Sequence, residues 1–204
     1  MNTRSDDPSA QPRSGAARTF RWRTVDIMVA AVLGVAIGVL FFFWGLLWNT
    51  VEAAFLFFPP ARGVLYGVWL LPGVLGALVI RKPGAGLLTA IAAGTVSMFL
   101  GSSWGMQVLL ASVLQGAAAE LVFGAWRYRR WGIAVAALAG AASGLAAAVT
   151  DLVLYYPTWT TPFQAAWTAA VVLSAAVIGG VGGRLLTSAL ARAGALSAFP
   201  SAKG

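Results

Sequence analysis

Long apolar stretches, separated by short polar breaks, make up most of this chain. A helix needs about 20 apolar residues to cross a hydrocarbon core of roughly 30 Å, and about 17 is the lower limit. Six stretches meet this requirement: residues 25–47, 64–80, 84–100, 107–126, 133–155 and 163–186. The pattern predicts an all-α fold, a polytopic membrane protein built as a bundle of six transmembrane helices.

The second and third stretches are short, and only Arg81-Lys82-Pro83 separates them. A single bent helix is one interpretation of this region. Two charged residues followed by a proline, which cannot continue a helix, favour a tight hairpin between two separate helices.

Composition supports a surface that faces lipid. Of the 204 residues, 59% are apolar and only 10% are charged, against about 25% charged residues in an ordinary soluble domain. So few ionisable side chains cannot cover a soluble protein, and lipid has to replace water around most of the surface. Residues 1–23 are polar and predict a disordered cytoplasmic tail. Residues 24–192 form the transmembrane domain, and residues 193–204 a cytoplasmic C-terminal tail.

The basic residues predict the orientation. With six spans and the amino terminus inside, thirteen of the fourteen Lys and Arg residues fall on one side, as the positive-inside rule requires. Only Arg62 falls on the outer side. An odd number of spans would destroy this asymmetry, so both termini are predicted to be cytoplasmic. The net charge of +8 therefore reflects membrane topology and not nucleic-acid binding.

Several kinds of chemistry are missing from the sequence. The chain contains no Cys and no His, so it lacks a thiolate nucleophile, the commonest metal ligand and the usual general base. No Walker A loop, zinc motif or nucleophile elbow occurs. We therefore expect neither an enzyme nor a resident metal or cofactor, and any uphill transport would draw energy from a partner or an ion gradient.

Three acidic residues within or beside the spans are candidates for function, because charged groups inside a bilayer are costly. Asp151 lies near the outer end of the fifth span, one turn before Tyr155, and Glu52 lies at the outer end of the first span. Glu120 is the deepest, about 10 Å from the inner edge of the fourth span at 1.5 Å per residue. The alternatives are solvation at the interface for Asp151 and Glu52, and a structural pair with Arg127 for Glu120.

Aromatic residues concentrate near the predicted outer ends. Tyr66 and Trp69 share a face of the second span, Trp104 lies between the third and fourth spans, and Trp167 is near the outer end of the sixth. These rings form either helix packing and an interfacial belt or a stacking surface for a flat ligand. Gln115, near the middle of the fourth span, is a further candidate for ligand contact.

Small residues recur at intervals of four on the first span, at Ala30, Gly34 and Gly38. Such a stripe lets two helix backbones approach closely in lipid. On an inward face it would serve packing within the bundle, whereas on an outward face it would bind another membrane subunit.

Four segments agree in residues, order and spacing with a known family along roughly residues 25–190: Tyr66-Gly67-Val68-Trp69, Arg81-Lys82-Pro83-Gly84-Ala85, Gln115-Gly116-Ala117-Ala118-Ala119-Glu120-Leu121-Val122-Phe123 and Asp151-Leu152. In these segments the chain resembles the YkoE family of substrate-binding (S) components from energy-coupling factor transporters.

The resemblance implies a bacterial plasma-membrane protein that binds thiamine or its hydroxymethylpyrimidine precursor at the outer side. It also implies two kinds of partner, a transmembrane coupling subunit and a pair of cytoplasmic ATPases, with Ala30, Gly34 and Gly38 contacting the coupling subunit. Thiamine is a cation with two flat rings, for which carboxylates and Trp or Tyr faces are suitable partners. The expected substrate contacts are Glu52, Tyr66, Trp69, Trp104, Gln115, Glu120, Asp151, Tyr155 and Trp167.

Two other functions remain open from the sequence. One is a stand-alone, proton-coupled transporter of a small cationic or heteroaromatic solute, with Glu120 or Asp151 as the proton relay. The other is a membrane scaffold or lipid enzyme, which the missing catalytic groups disfavour.

Overall fold

A computed structural model describes residues 20–197, 199 and 201, and this part of the chain is helical and contains no strand. Five helices are long and apolar enough to cross a membrane, and a sixth, of 15 residues, is apolar but shorter. In chain order the helices are α1 Thr24–Thr50, α2 Pro59–Ile80, α3 Ala85–Phe99, α4 Gln107–Ala125, α5 Ile133–Leu154 and α6 Thr161–Arg192.

The helix bounds lie close to the predicted stretches. The largest differences are at α1, which continues to Thr50, at the start of α2, which moves from residue 64 to Pro59, and at the end of α6, which moves from residue 186 to Arg192. The predicted tail 1–23 lies outside the described residues except for its last four positions. Beyond α6, Leu196 and Phe199 are buried in the bundle, so this part of the predicted C-terminal tail packs against it.

The turn between α2 and α3 is the predicted tight hairpin. Arg81 and Gly84 both adopt left-handed backbone conformations, with φ of 56° and 86°, which lets the chain reverse within four residues. The side chain of Lys82 forms an ion pair with the buried Asp26 of α1, and Trp22 Nε1 donates a hydrogen bond to the Pro83 carbonyl at 3.2 Å. This turn is therefore fastened to the start of α1.

Two helices depart from regular α geometry where they cross. Residues Pro59–Leu70 of α2 are a 3-10 helix, and residues Ala175–Gly182 of α6 form a π-helix. At the crossing, the Gly67 N–H donates to Ser174 Oγ at 2.9 Å, and the same hydroxyl donates to the Val64 carbonyl at 2.6 Å. A Cβ on Gly67 would lie 2.8 Å from Ile178 Cβ, so glycine is required for this close approach.

The small-residue stripe of α1 faces the inside of the bundle. Ala30, Gly34 and Gly38 are buried, and a Cβ on Gly38 would lie 2.6 Å from Val96 Cβ of α3. The structure therefore corrects the expectation that these three residues contact a coupling subunit. They allow α1 and α3 to pack closely, which is the inward alternative for such a stripe.

The bundle has two chemically different ends. The aromatic end contains residues 48–66, 101–107 and 154–163, which hold many of the Trp and Tyr residues. The basic end contains residues 20–26, 81–85, 126–132 and 192, which hold most of the described Lys and Arg residues.

Candidate functional site

A cavity opens between the helices at the aromatic end. Its deep part, together with the solvent-open space at its opening, measures about 540 Å³. Helices α1, α2, α4 and α5 and the connection between α3 and α4 supply its walls. Polar groups in the walls include Gln107, Ser112, Gln115, Thr150 and Asp151.

The mouth of the same cavity adds a wider space of about 710 Å³, much of it open. Four residues border both spaces and join them: Trp69, Trp104, Asp151 and Tyr155. Apolar walls that carry a few polar groups are typical of sites for small molecules. The cavity therefore suits a compact organic ligand.

Asp151 is the carboxylate within this cavity. It is only 6% exposed, and the Tyr66 hydroxyl donates a hydrogen bond to its Oδ1 at 3.1 Å. Asp151 comes from the last turn of α5 and Tyr66 from the 3-10 segment of α2, so packing between distant parts of the chain creates the pair. A buried carboxylate needs hydrogen-bond partners, and a donor group on a ligand would supply another.

Aromatic rings form one wall of the cavity and its mouth. The centroid of the Trp69 ring lies 4.8 Å from that of Trp48, 5.2 Å from Tyr66 and 5.4 Å from Trp104. All three contacts are edge-on, an arrangement that aromatic quadrupoles prefer. A flat ligand between such rings would gain both apolar burial and stacking.

Two tyrosines next to the mouth lie just beyond the end of α5. Burial raises the pKa of Tyr155, whose hydroxyl donates to Gln107 Oε1. Burial also raises the pKa of Tyr156, while a hydrogen bond and the positive charge of Arg62 act in the opposite direction. Both hydroxyls thus stay protonated at neutral pH, and the proton of Tyr155 is already engaged by Gln107.

The structure brings most of the predicted site residues together. Those that line the cavity or its mouth are Glu52, Tyr66, Trp69, Trp104, Gln115, Asp151 and Tyr155. Trp167 does not line it. It is 1% exposed and packs edge-on behind Trp48 and Tyr66, at centroid distances of 6.3 and 5.8 Å. Its role is to support the aromatic wall.

Glu120 lies near the basic end and away from this cavity. Its carboxylate accepts hydrogen bonds from the Gly84 N–H at 2.8 Å, the Gly86 N–H at 2.9 Å and the Tyr128 hydroxyl at 2.7 Å. It therefore caps the start of α3, where backbone N–H groups lack partners within the helix. This placement corrects the expectation that Glu120 contacts a ligand in the outer cavity, and its partners are these groups instead of Arg127.

The cavity and mouth also contain residues that were not among the predicted contacts, and four of these matter for the site: Trp48, Arg62, Gln107 and Tyr156. A signal for two of them was present. Arg62 is the single basic residue on the predicted outer side, and Gln107 is a polar residue at the start of an apolar helix. For Trp48 and Tyr156 the sequence offers only their position near a helix end, which many interfacial aromatics share.

Comparisons with known proteins agree with this architecture. Residues 25–146 match the family model described as an ABC-type cobalt transport system, permease component. The chain is 30% identical over 183 residues to a protein of Bacillus subtilis (strain 168) named a putative HMP/thiamine permease, YkoE. That match covers 89% of this chain and 91% of the relative.

A crystal structure of an S component of an energy-coupling factor (ECF) transporter has the same fold. It superposes with a TM-score of 0.85 at 29% identity, and covers 90% of this chain and 92% of the other. These relatives are transport components of bacterial membranes and not enzymes. The chain belongs to the YkoE family of S components of ECF transporters and is a multi-pass protein of the bacterial plasma membrane.

Proposed function

We propose that this protein captures thiamine or its hydroxymethylpyrimidine precursor from outside the cell and delivers it through a transmembrane coupling subunit powered by two separate ATPases. The observation that carries the proposal is the cavity at the aromatic end, where Trp rings form a wall and Asp151 supplies a buried carboxylate. The HMP/thiamine permease name of the Bacillus relative supports the same ligand class.

The chemistry of the walls suits an aminopyrimidine. An amino group donates hydrogen bonds, which Asp151 accepts, and ring nitrogens accept hydrogen bonds, which the amides of Gln107 and Gln115 donate. The flat ring suits the edges and faces of Trp69 and Trp104. Thiamine adds a positively charged second ring, for which aromatic faces and a carboxylate are favourable partners.

The family model that matches residues 25–146 mentions cobalt, and the donor groups of this chain favour an organic ligand instead. The sequence contains no His and no Cys, the ligands best suited to transition metals. Within the described residues, no group of three His, Cys, Asp or Glu is arranged to hold a metal ion.

The proposal includes six membrane spans with both termini in the cytoplasm. This topology puts the basic end inside, in agreement with the positive-inside rule, and the cavity outside. The 15 residues of α3 cover about 22 Å at 1.5 Å per residue. The connections at both of its ends would complete the crossing.

Ligand titration of the purified protein tests the substrate. Thiamine and hydroxymethylpyrimidine should quench Trp fluorescence with submicromolar to micromolar Kd, because Trp48, Trp69 and Trp104 border the cavity. Trp104→Ala should weaken binding at least tenfold, whereas Trp126→Ala, at the basic end, should leave the Kd within threefold. Absence of binding by both ligands would refute the substrate assignment.

Reconstitution tests the partners. Proteoliposomes with this chain alone should bind ligand without accumulating it, and uptake should require the coupling subunit and ATP. Accumulation driven by a pH gradient in the absence of partners would favour the proton-coupled transporter instead. The hydrogen bonds that hold Glu120 at the basic end assign this acid to structure, which leaves Asp151 as the residue to test for proton coupling.

A further inference from the structure

Arg62 is a positive charge at the edge of an otherwise acidic and aromatic cavity. Within the described chain it is the only basic residue at the aromatic end. It borders the mouth of the cavity and also the adjacent groove formed with Glu52, Phe55 and Tyr156. It therefore separates the ligand cavity from the surface groove next to it.

The guanidinium group of Arg62 covers an aromatic face that borders the cavity. Its Cζ atom lies 4.3 Å from the centroid of the Trp48 ring, well within the range of a cation–π contact. The same ring contacts Tyr66 at 5.8 Å and Trp69 at 4.8 Å. Arg62 therefore occupies a position next to the aromatic wall where a positively charged ring of a ligand would also be favourable.

The remaining partners of Arg62 are Tyr156, with which it forms a hydrogen bond, and Glu52. Its Nη1 atom lies 3.4 Å from Glu52 Oε2, longer than the 2.7–2.9 Å typical of a charge-assisted hydrogen bond. Glu52 is 64% exposed at its side chain, so water screens the pair. Nη1 is buried and has no hydrogen-bond partner. The guanidinium group is therefore incompletely hydrogen-bonded, and its displacement would break the contact with Tyr156 but no close charge-assisted hydrogen bond to Glu52.

This inference rests on the proposed function: we propose that Arg62 occupies the position that a ligand cation would take beside Trp48, and so lowers the affinity for cationic ligands relative to neutral ones. A cationic ring that approaches Trp48 has to displace the guanidinium group or accept a like charge nearby. A neutral pyrimidine meets neither penalty. Arg62 is in this sense a specificity residue that discriminates by ligand charge.

Three ligands and four proteins test this inference. The ligands are thiamine, an uncharged isostere of thiamine with carbon in place of the thiazolium nitrogen, and hydroxymethylpyrimidine. The proteins are the wild type, two neutral variants of different shape, Arg62→Met and Arg62→Gln, and the charge-conserving Arg62→Lys. Two neutral variants are included because either one alone could perturb the local fold. Kd is measured for each pair in detergent at constant ionic strength.

Both neutral variants should bind thiamine about tenfold more tightly than the wild type, the change expected from one displaced cation–π contact. Their Kd values for the two uncharged ligands should change less than threefold, and Arg62→Lys should keep the wild-type order of affinities. Weaker thiamine binding by the neutral variants would overturn the inference, as would an equal change for thiamine and its uncharged isostere. If none of the four proteins binds any of the ligands, the proposed function itself fails.

Discussion

The acidic residues Asp151 and Glu120 lie at opposite ends of the bundle and have different partners. Asp151 lines the cavity at the aromatic end and is held by Tyr66. Glu120 lies near the basic end, where backbone N–H groups and Tyr128 donate to it. Both are acids in apolar helices, but only Asp151 faces space that a ligand can occupy. We therefore expect neutralisation of Asp151 to weaken ligand binding and neutralisation of Glu120 to lower stability.

Replacing Asp151 should affect binding directly. Asp151→Asn should raise the Kd for the ligand at least tenfold, because hydrogen bonds to a charged acceptor contribute about 1.5–3 kcal/mol. Isothermal titration calorimetry measures the change. Thr95→Val, on α3 outside the cavity and with a hydroxyl that bonds to the Ile91 carbonyl of its own helix, is the control and should change the Kd less than threefold. An unaltered Kd for Asp151→Asn would remove this carboxylate from the site.

Replacing Glu120 should affect stability and spare binding. Glu120→Gln loses charge-assisted acceptors for two backbone N–H groups, so it should lower the free energy of unfolding by about 1–3 kcal/mol. Thermal unfolding in detergent measures the loss. Burial and the bond to Glu120 raise the pKa of Tyr128 well above its usual range, so its hydroxyl stays a donor throughout the physiological pH range. A large rise in ligand Kd without a loss of stability would contradict this structural role.

At the level of helices, glycine and small residues determine which faces meet. Gly34 and Gly38 bring α1 against α3, and Gly67 brings α2 against the π segment of α6. The 3-10 segment of α2 presents Tyr66 and Trp69 three residues apart, and a period of three residues per turn aligns them on one face. The irregular helices thus position the aromatic wall of the cavity.

The contact between α1 and α3 should not tolerate a side chain larger than that of glycine at position 34. Gly34→Val should destabilise the protein by about 1–3 kcal/mol, as expected for overpacking, because even a Cβ would clash with Ala92. Ala36→Val, at an exposed position of α1, is the control and should leave the melting temperature unchanged. If Gly34→Val instead left stability intact and reduced association with the coupling subunit, the inward assignment of this face would be wrong.

The hydroxyl of Ser174 should stabilise the crossing of α2 and α6. Ser174→Ala removes the acceptor for the Gly67 N–H and the donor to the Val64 carbonyl. Leaving a buried N–H unsatisfied costs about 1–3 kcal/mol, so we expect a lower melting temperature by differential scanning fluorimetry. Thr168→Val should change it little, because that hydroxyl bonds only to the Gln164 carbonyl of its own helix. Equal effects of the two substitutions would argue against a special role for this crossing.

For the molecule as a whole, the separation of an aromatic end from a basic end fits the orientation of an importer. In the proposed orientation, the cavity at the aromatic end would receive ligand from outside, and the basic end would face cytoplasmic partners. Helix α1 is fastened to the α2–α3 turn at the basic end through Asp26 and Lys82. This ion pair and the cavity lie at opposite ends of the bundle.

Cysteine labelling should establish the orientation, since the chain contains no Cys. In intact cells, Ser103→Cys at the aromatic end should react with a membrane-impermeant maleimide. Arg129→Cys at the basic end should react only after the membrane is permeabilised. Both positions are exposed in the structure, so accessibility to the reagent depends on the side of the membrane. The reverse labelling pattern would invert the proposed topology.

Helix positions followed from the sequence alone because each apolar stretch partitions into the bilayer by its own composition. The predicted stretches 107–126 and 133–155 differ by one residue from Gln107–Ala125 and Ile133–Leu154. The hairpin at Arg81 and the aromatic and acidic character of one end were likewise local features. The family was evident from short segments whose order and spacing the chain preserves.

The rotation of each helix about its axis was decided only in the tertiary structure. In lipid no difference in polarity separates the inner face of a helix from its outer face, since both are apolar. Contacts between residues far apart in the chain therefore decided three features: the inward orientation of the face with Gly34, the burial of Trp167 and the hydrogen-bond partners of Glu120. Apolar partitioning thus determines which segments cross the membrane, while close packing determines which side chains face the cavity.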